Sequence, residues 1–240
     1  MIQKIKHRLM ASSREKKYSD FIQLSSLTPD STILDVGVAN KEHSPHDNFL
    51  EKNYPFPSRI TALSVQGISE FERRYPEIRA VVYGGGRFPF ADNAFSVVHA
   101  NAVIEHVGGF ADQVDFIREM ARCGRRFFFS TPAREFPFEI HTNYPVIHWL
   151  PKPAFDYLAI RLGKAWATGN YMQLLTRKGV GNLLRAAGIG NYRLITYRIW
   201  GIPYQHIVFA DSGNTADIAA SGPENCGDDV QPKKYSDDLA

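Results

Sequence analysis

The stretch Ser31-Thr-Ile-Leu-Asp-Val-Gly-Val-Ala-Asn40 constrains the fold more than any other part of the chain. Thr32 to Val36 is a short, apolar, partly β-branched run behind the turn-forming Pro29-Asp30, the pattern of a strand covered on both faces. Asp35 interrupts the run near its C-terminal end. In open parallel sheets ligands bind beyond the carboxyl ends of the strands, so a carboxylate there points to a site. Gly37 then permits positive φ or a close approach of the backbone to a ligand. Spacing excludes two nucleotide-binding loops. A dinucleotide fingerprint needs Gly-x-Gly-x-x-Gly, whereas Gly37 is followed by Val38, Ala39, Asn40, Lys41 and Glu42, and a phosphate loop would end in Gly-Lys-Ser/Thr.

The remainder alternates strand and helix patterns. Arg59 to Val65 and Ile78 to Tyr83 read as strands around a short helix, Ser69 to Tyr75. Phe95 to Ala100 and Arg125 to Ser130, the latter with Phe127-Phe128-Phe129, read as two more strands around a helix over 111–122. Strands alternating with helices imply right-handed crossovers and a doubly wound sheet. Thr176 suits the N-cap of a helix over Arg177 to Ala187, with Gly188 just past its end. Tyr192 to Trp200 and Tyr204 to Ala210 then form an antiparallel pair across Gly201-Ile-Pro203. Ahead of the first strand, residues 1–27 carry apolar positions at spacings of three and four and read as amphipathic helices with Arg14, Lys16 and Lys17 on their polar faces.

At 240 residues, with 44% hydrophobic and 22% charged residues, the chain has the composition of one ordinary soluble domain with appendages. The N-terminal stretch is charged throughout and lacks the pattern of a signal peptide, and no apolar run approaches a membrane span, so a cytoplasmic location is expected. Cys123 and Cys226 match no redox or metal spacing. His43, His46 and Asp47 lack a fourth ligand nearby, so no metal is expected. From residue 211 onward seven acids face two lysines, which leaves the body at about +8. Such a body allows peripheral contact with a membrane surface. The tail, rich in Gly, Ser, Asn and acids, has no apolar periodicity and is expected to be disordered.

Two stretches carry a family resemblance. Asp35-Val-Gly37 behind a strand resembles the first motif of class I S-adenosylmethionine (SAM) dependent methyltransferases, where further glycines usually follow. Arg87 to Val107 closely resembles a pattern of the methyltransferase type 11-like group, on which Phe88-Pro89-Phe90, Asp92, Phe95 and Glu105-His106 fall. A further segment, with Glu139, His141-Thr142 and His148-Trp149-Leu150-Pro151, is similar to one that follows the fifth strand in a subset of these enzymes. The resemblance spans about residues 20–210. It implies an α/β, Rossmann-like, doubly wound seven-stranded sheet of order 3-2-1-4-5-7-6, the last strand antiparallel, with helices on both faces. It also implies three regions: N-terminal helices over 1–27, a methyltransferase domain over 28–210 containing an acceptor-side cap insertion over 136–172, and the tail.

What the resemblance implies for chemistry is transfer of a methyl group from SAM, leaving S-adenosylhomocysteine (SAH). Asp35, Gly37 and Val38 would hold the methionine end, Ser64 and Gln66 the ribose, Gly85, Gly86, Arg87 and Phe88 the adenine, and Asn101 and Ala102 the floor. His106 stands where a general base would take the acceptor's proton, its ordinary pKa suiting that role. Glu105, His141, Tyr144 and Trp149 lie on the acceptor side. The acceptor is a small molecule, lipid or glycan. Departures from the family pattern matter here: an acid is usual near the end of the second strand and another after the third, where this chain has Ser64, Gln66 and Gly84-Gly85. A non-catalytic SAM-binding or scaffold domain therefore stays open as an alternative. An RNA methyltransferase is less favoured, because Asn101-Ala-Val-Ile104 lacks the Asn/Asp-Pro-Pro-aromatic motif of base-amine methylases and neither cysteine sits where a base-attacking nucleophile should.

Overall fold

The computed structural model describes residues 2–139, 142–169 and 171–212, with side chains from Ser12 onward. Nine strands and six α-helices are present among them: α1 (Ile2–Ser25), β1 (Ile33–Val36), α2 (Phe49–Asn53), β2 (Ile60–Ser64), α3 (Ser69–Arg74), β3 (Arg79–Val82), β4 (Val97–Asn101), α4 (Phe110–Cys123), β5 (Arg126–Pro132), β6 (Phe138–Glu139), β7 (Tyr144–Pro145), α5 (Lys152–Arg161), α6 (Arg177–Ala186), β8 (Tyr192–Ile199) and β9 (Ile202–Asp211). Seven strands form one sheet in the order β3-β2-β1-β4-β5-β9-β8. β9 runs antiparallel to both β5 and β8, and the remaining pairs are parallel. This is the order expected from the sequence, with β8 and β9 in the places of the sixth and seventh strands. β6 and β7 form a separate two-stranded hairpin.

Strand alternation divides the core between the two faces of the sheet. Leu34, Val36, Val98, Ala100, Phe127 and Phe129 face α4 and α6, against Ile117, Met120, Val180 and Leu183. Ile33, Ala62, Val97, Phe128 and Ile207 face the other way, against Phe21 of α1, Leu50 of α2 and Phe71 of α3. Phe128 is fully buried and meets the Phe21 ring edge-on at 5.3 Å. Burying such a side chain contributes about 2–3 kcal/mol, and here it fixes α1 to the central strands. The helices expected over residues 1–27 are one continuous helix, and Lys17 is turned from the polar face into the protein, where it is 7% exposed. Asp211 closes β9, and the tail beyond Ser212 lies outside the described residues.

Local chemistry explains where the elements begin. Thr176 Oγ1 accepts the Gly179 N–H at 3.0 Å and starts α6, and Gly188 follows its end at φ 81°. α3 has no cap of its own. Asn40, from the loop behind β1, supplies one instead, its Oδ1 accepting the Glu70 and Phe71 N–H groups at 2.9 and 3.2 Å. The loop before β4 is clamped to α4 by Arg122. That guanidinium donates to the carbonyls of Phe88 and Phe90 at 3.0 and 2.8 Å, to Asp92 at 2.8 Å and to Glu119 at 2.6 Å. Glu119 in turn accepts the Phe88 N–H at 2.8 Å. The Phe-Pro-Phe-x-Asp pattern is thus one half of a hydrogen-bonded clasp whose other half is on α4.

Replacing Arg122 by Met keeps most of the side chain's volume and removes the partner of two carbonyls and two carboxylates. Charged hydrogen bonds of this kind are each worth about 1.5–3 kcal/mol, so urea denaturation should show a loss of roughly 3 kcal/mol for Arg122→Met, with Asp92→Asn, exposed at the rim, losing less than about 1 kcal/mol.

Candidate functional site

Asp35 and His99 are direct neighbours in the register of β1 and β4, and both point to the face covered by α1 and α2. Asp35 Oδ1 lies 2.6 Å from His99 Nδ1. The imidazole sits between the Phe21 and Phe128 rings, at 4.8 and 5.5 Å. Burial pushes its pKa down to about 4, so it is neutral at physiological pH and donates from Nδ1 to the carboxylate. Burial likewise raises Asp35, to about 6. Glu51 of α2 is 5% exposed, and neither of its oxygens meets a donor among the described residues. Burial first, and the Asp35 charge second, hold it well above the usual carboxylate range.

Cations come from α1. Lys17 Nζ donates to Asn101 Oδ1 at 2.6 Å, and the same oxygen accepts from Ser130 Oγ at 2.7 Å. Burial, reinforced by the nearby Arg14 charge and opposed by Glu105, brings Lys17 down to about 7. Arg14 reaches Asp47 at 3.9 Å. Arg14, Lys17, Asp35, Glu51, His99 and Asn101, with the Gly37 to Ala39 segment, line a cavity of about 130 Å³ at the carboxyl ends of β1 and β4.

The residues picked out from the sequence fall into different environments. Gly37 has φ +88°, and its N–H donates to the Leu63 carbonyl at 2.8 Å. A Cβ there would stand 2.5 Å from Val103 Cγ2, so the glycine is demanded by the protein's own packing. Val38 is buried in the core beneath α2 and α3. Ser64 is buried and accepts the Gln66 N–H at 3.1 Å, while Gln66 is exposed. Gly85 and Gly86 stand exposed at φ +88° and +70° with nothing near the place of a Cβ, and Arg87 beside them is exposed. Phe88 is 2% exposed in the core, and its N–H and carbonyl are held by Glu119 and Arg122. Ala102 takes φ 58° and ties its N–H to the Ser130 carbonyl at 2.9 Å.

Of the residues that the resemblance assigns to the acceptor, Glu105 is fully buried and accepts from Thr131 Oγ1 at 3.1 Å. His106 is half-buried, with the Tyr171 ring at 5.2 Å. Tyr144 lies in β7. Trp149 donates from Nε1 to the Arg134 carbonyl at 2.7 Å, with its ring 48% exposed. His141 lies outside the described residues. Arg14, Lys17, Glu51 and His99 were missed in the sequence. His99 carried a signal, as a titratable residue inside an otherwise apolar strand, and Lys17 carried another, one helical turn from Phe21 on the same face.

Comparison with known proteins adds the following. The profile of a family described as a methyltransferase domain matches residues 55–126, from just ahead of β2 to the start of β5. It takes in Phe88-Pro89-Phe90, Asp92 and Glu105-His106, and leaves out β1 and the loop behind it. Among solved structures, geranyl diphosphate C-methyltransferase from Streptomyces coelicolor is similar at 14% identity and TM-score 0.52, over 86% of this chain and 80% of that one. The YcgJ protein from Bacillus subtilis is similar at 12% identity and TM-score 0.51, over 81% and 97%. A SAM-dependent methyltransferase from Thermotoga maritima is similar at 11% identity and TM-score 0.51, over 83% and 90%. At such identities the likeness is one of fold. No curated protein matches the chain.

Two outcomes follow from the cavity walls. Lys17 has its pKa lowered on folding, so between about 7 and its ordinary value the unfolded chain binds more protons, and stability rises with pH through that window. Urea midpoints should therefore rise more, or fall less, from pH 7 to pH 9.5 in the wild type than in Lys17→Met. Gly37→Ala should cost at least about 2 kcal/mol, from left-handed strain plus the clash; adding Val103→Ala removes the clash alone and recovers part of the loss.

Proposed function

We propose that this chain, whose fold and domain are those of the class I SAM-dependent methyltransferases, binds SAM across the carboxyl ends of β1 to β4 and moves its methyl group to a small-molecule, lipid or glycan acceptor. The observation that carries the reading is the cavity that cations and an acid line together. An amino-acid end, with its α-carboxylate and α-ammonium, needs a cation and an anion within reach, and Arg14 and Lys17 line the same cavity as Asp35. Donor and acceptor chemistry here fits the cofactor. The ribose and adenine would lie along Gln66 and the open Gly84 to Arg87 turn, where no side chain blocks the backbone.

When bound, the sulfonium supplies an electrophilic methyl that is displaced in line by the acceptor. The chain's own residues hold and orient. Neutral His99 fixes the Asp35 carboxylate, Asn101 fixes the Lys17 ammonium, and Val103 fixes the Gly37 turn. His106, open to the acceptor side beside Tyr171, takes the acceptor's proton. Glu105 and the aromatic residues of 136–172, Tyr144 and Trp149 among them, border the acceptor. We place the protein in the cytoplasm. The absence of an acid at Ser64 to Gln66 and at Gly84-Gly85 favours, as the second reading, a domain that binds the cofactor without turnover.

Titration calorimetry with SAH should give one site per chain. Asp35→Asn and Arg14→Gln should each weaken it about tenfold or more, as expected for loss of a charge-assisted hydrogen bond. His106→Ala should leave SAH affinity unchanged while abolishing transfer of labelled methyl from SAM into fractionated cell extract. Absence of heat with SAH would overturn the reading, and binding without any labelled product would favour the second.

A further inference from the structure

The outward face of α5 does not resemble a solvated helix face. Its inner residues Phe155 and Ala159 are buried against Ala167 and Met172. Tyr157 and Ile160, three apart on the opposite side, are nonetheless 63% and 58% exposed, and Trp166 just beyond the helix is 46% exposed. A helix apolar on both sides normally has both sides covered. The charges around this face are of one sign. Asp156 is the single acid of residues 142–175 and is neutralised by Lys152 at 2.7 Å, while Arg161, lying over the Tyr157 ring at 5.3 Å, and Lys164 have no acidic partner among the described residues. Aromatic and aliphatic side chains interleaved with uncompensated cations match the boundary of an anionic bilayer, where rings sit at headgroup depth and cations meet lipid phosphates. No helix among the described residues is long and apolar enough to cross a membrane, so contact at this helix would be interfacial.

We propose that the α5 face, formed by Tyr157, Ile160, Arg161, Lys164 and Trp166, docks the protein onto an anionic lipid surface. The face is continuous with the acceptor side. Trp166 meets Tyr171 edge-on at 6.0 Å, and Tyr171 meets His106 at 5.2 Å. Docking there presents the His106 side of the protein to the membrane boundary, where an amphiphilic molecule would be met. Nothing in the proposal uses SAM binding, so the two readings fail separately.

The test is co-sedimentation of the full chain with vesicles, without SAM or SAH. Wild type should pellet with vesicles of equal phosphatidylcholine and phosphatidylglycerol and stay in solution with phosphatidylcholine alone. Binding should fall about fivefold for each of Arg161→Gln and Lys164→Gln, and by about tenfold or more in Tyr157→Gln/Ile160→Gln. All four positions are at least partly solvent-exposed, and an unchanged melting temperature identifies variants that remain folded. Failure of the wild type to pellet with anionic vesicles, or equal pelleting of the folded Tyr157→Gln/Ile160→Gln variant, would overturn the proposal. So would a concentration-dependent dimer by light scattering that this double variant dissolves, because the face would then belong to a second copy of the chain.

Discussion

Everything at the carboxyl edge of the sheet depends on the hydrogen bond between Asp35 and His99, set into an otherwise apolar layer. Two titratable groups on adjacent strands, deprived of water, are tolerable only if each satisfies the other. The histidine can do so only as a neutral donor, held between Phe21 and Phe128. That in turn requires α1 to lie where Phe21 can cover it. The same helix then delivers Lys17 to Asn101 and Arg14 to the cavity, so the buried pair, the helix that covers it and the two cations meet at one end of the sheet.

The two acids and the histidine pull the pH dependence of folding in opposite senses. His99 is lowered by folding and so adds stability as pH rises from about 4 to its ordinary value. Asp35 is raised to about 6, so stability falls as pH rises from its ordinary value to there. Where the windows overlap, the Asp35 and His99 effects oppose each other, while Glu51, also raised, acts in the same sense as Asp35.

The sheet was legible because its signals are local and repeated: the apolar runs of β1, β4 and β5, the Thr176 cap and the Gly201 turn each announce themselves within a few residues. The site was legible only where it coincides with such a signal, as at Asp35 and Gly37. Lys17 was read as a solvated charge because its partner, Asn101, lies 84 residues away and nothing in the helix pattern distinguishes a lysine facing water from one facing an amide. The family motif around Phe88 marks the segment without saying which of its atoms face a ligand, and in the structure it is a clasp closed by Arg122 with Phe88 in the core. Asn40 stands where the family usually has further glycines, and it is occupied in capping α3. The loop behind β1 lies outside the stretch matched by the family profile, and it lines the cavity together with α1, α2 and the end of β4.

The cavity lined by Arg14, Lys17 and Asp35 is the proposed seat of the amino-acid end of SAM. A crystal structure of the chain with SAH bound tests it most directly. The account predicts difference density for the homocysteine moiety between Arg14 and Lys17 on one side and Asp35 on the other, with the adenine toward Gly84 to Arg87. Density for the amino-acid end elsewhere, with the Arg14, Lys17 and Asp35 walls untouched by ligand, would contradict it.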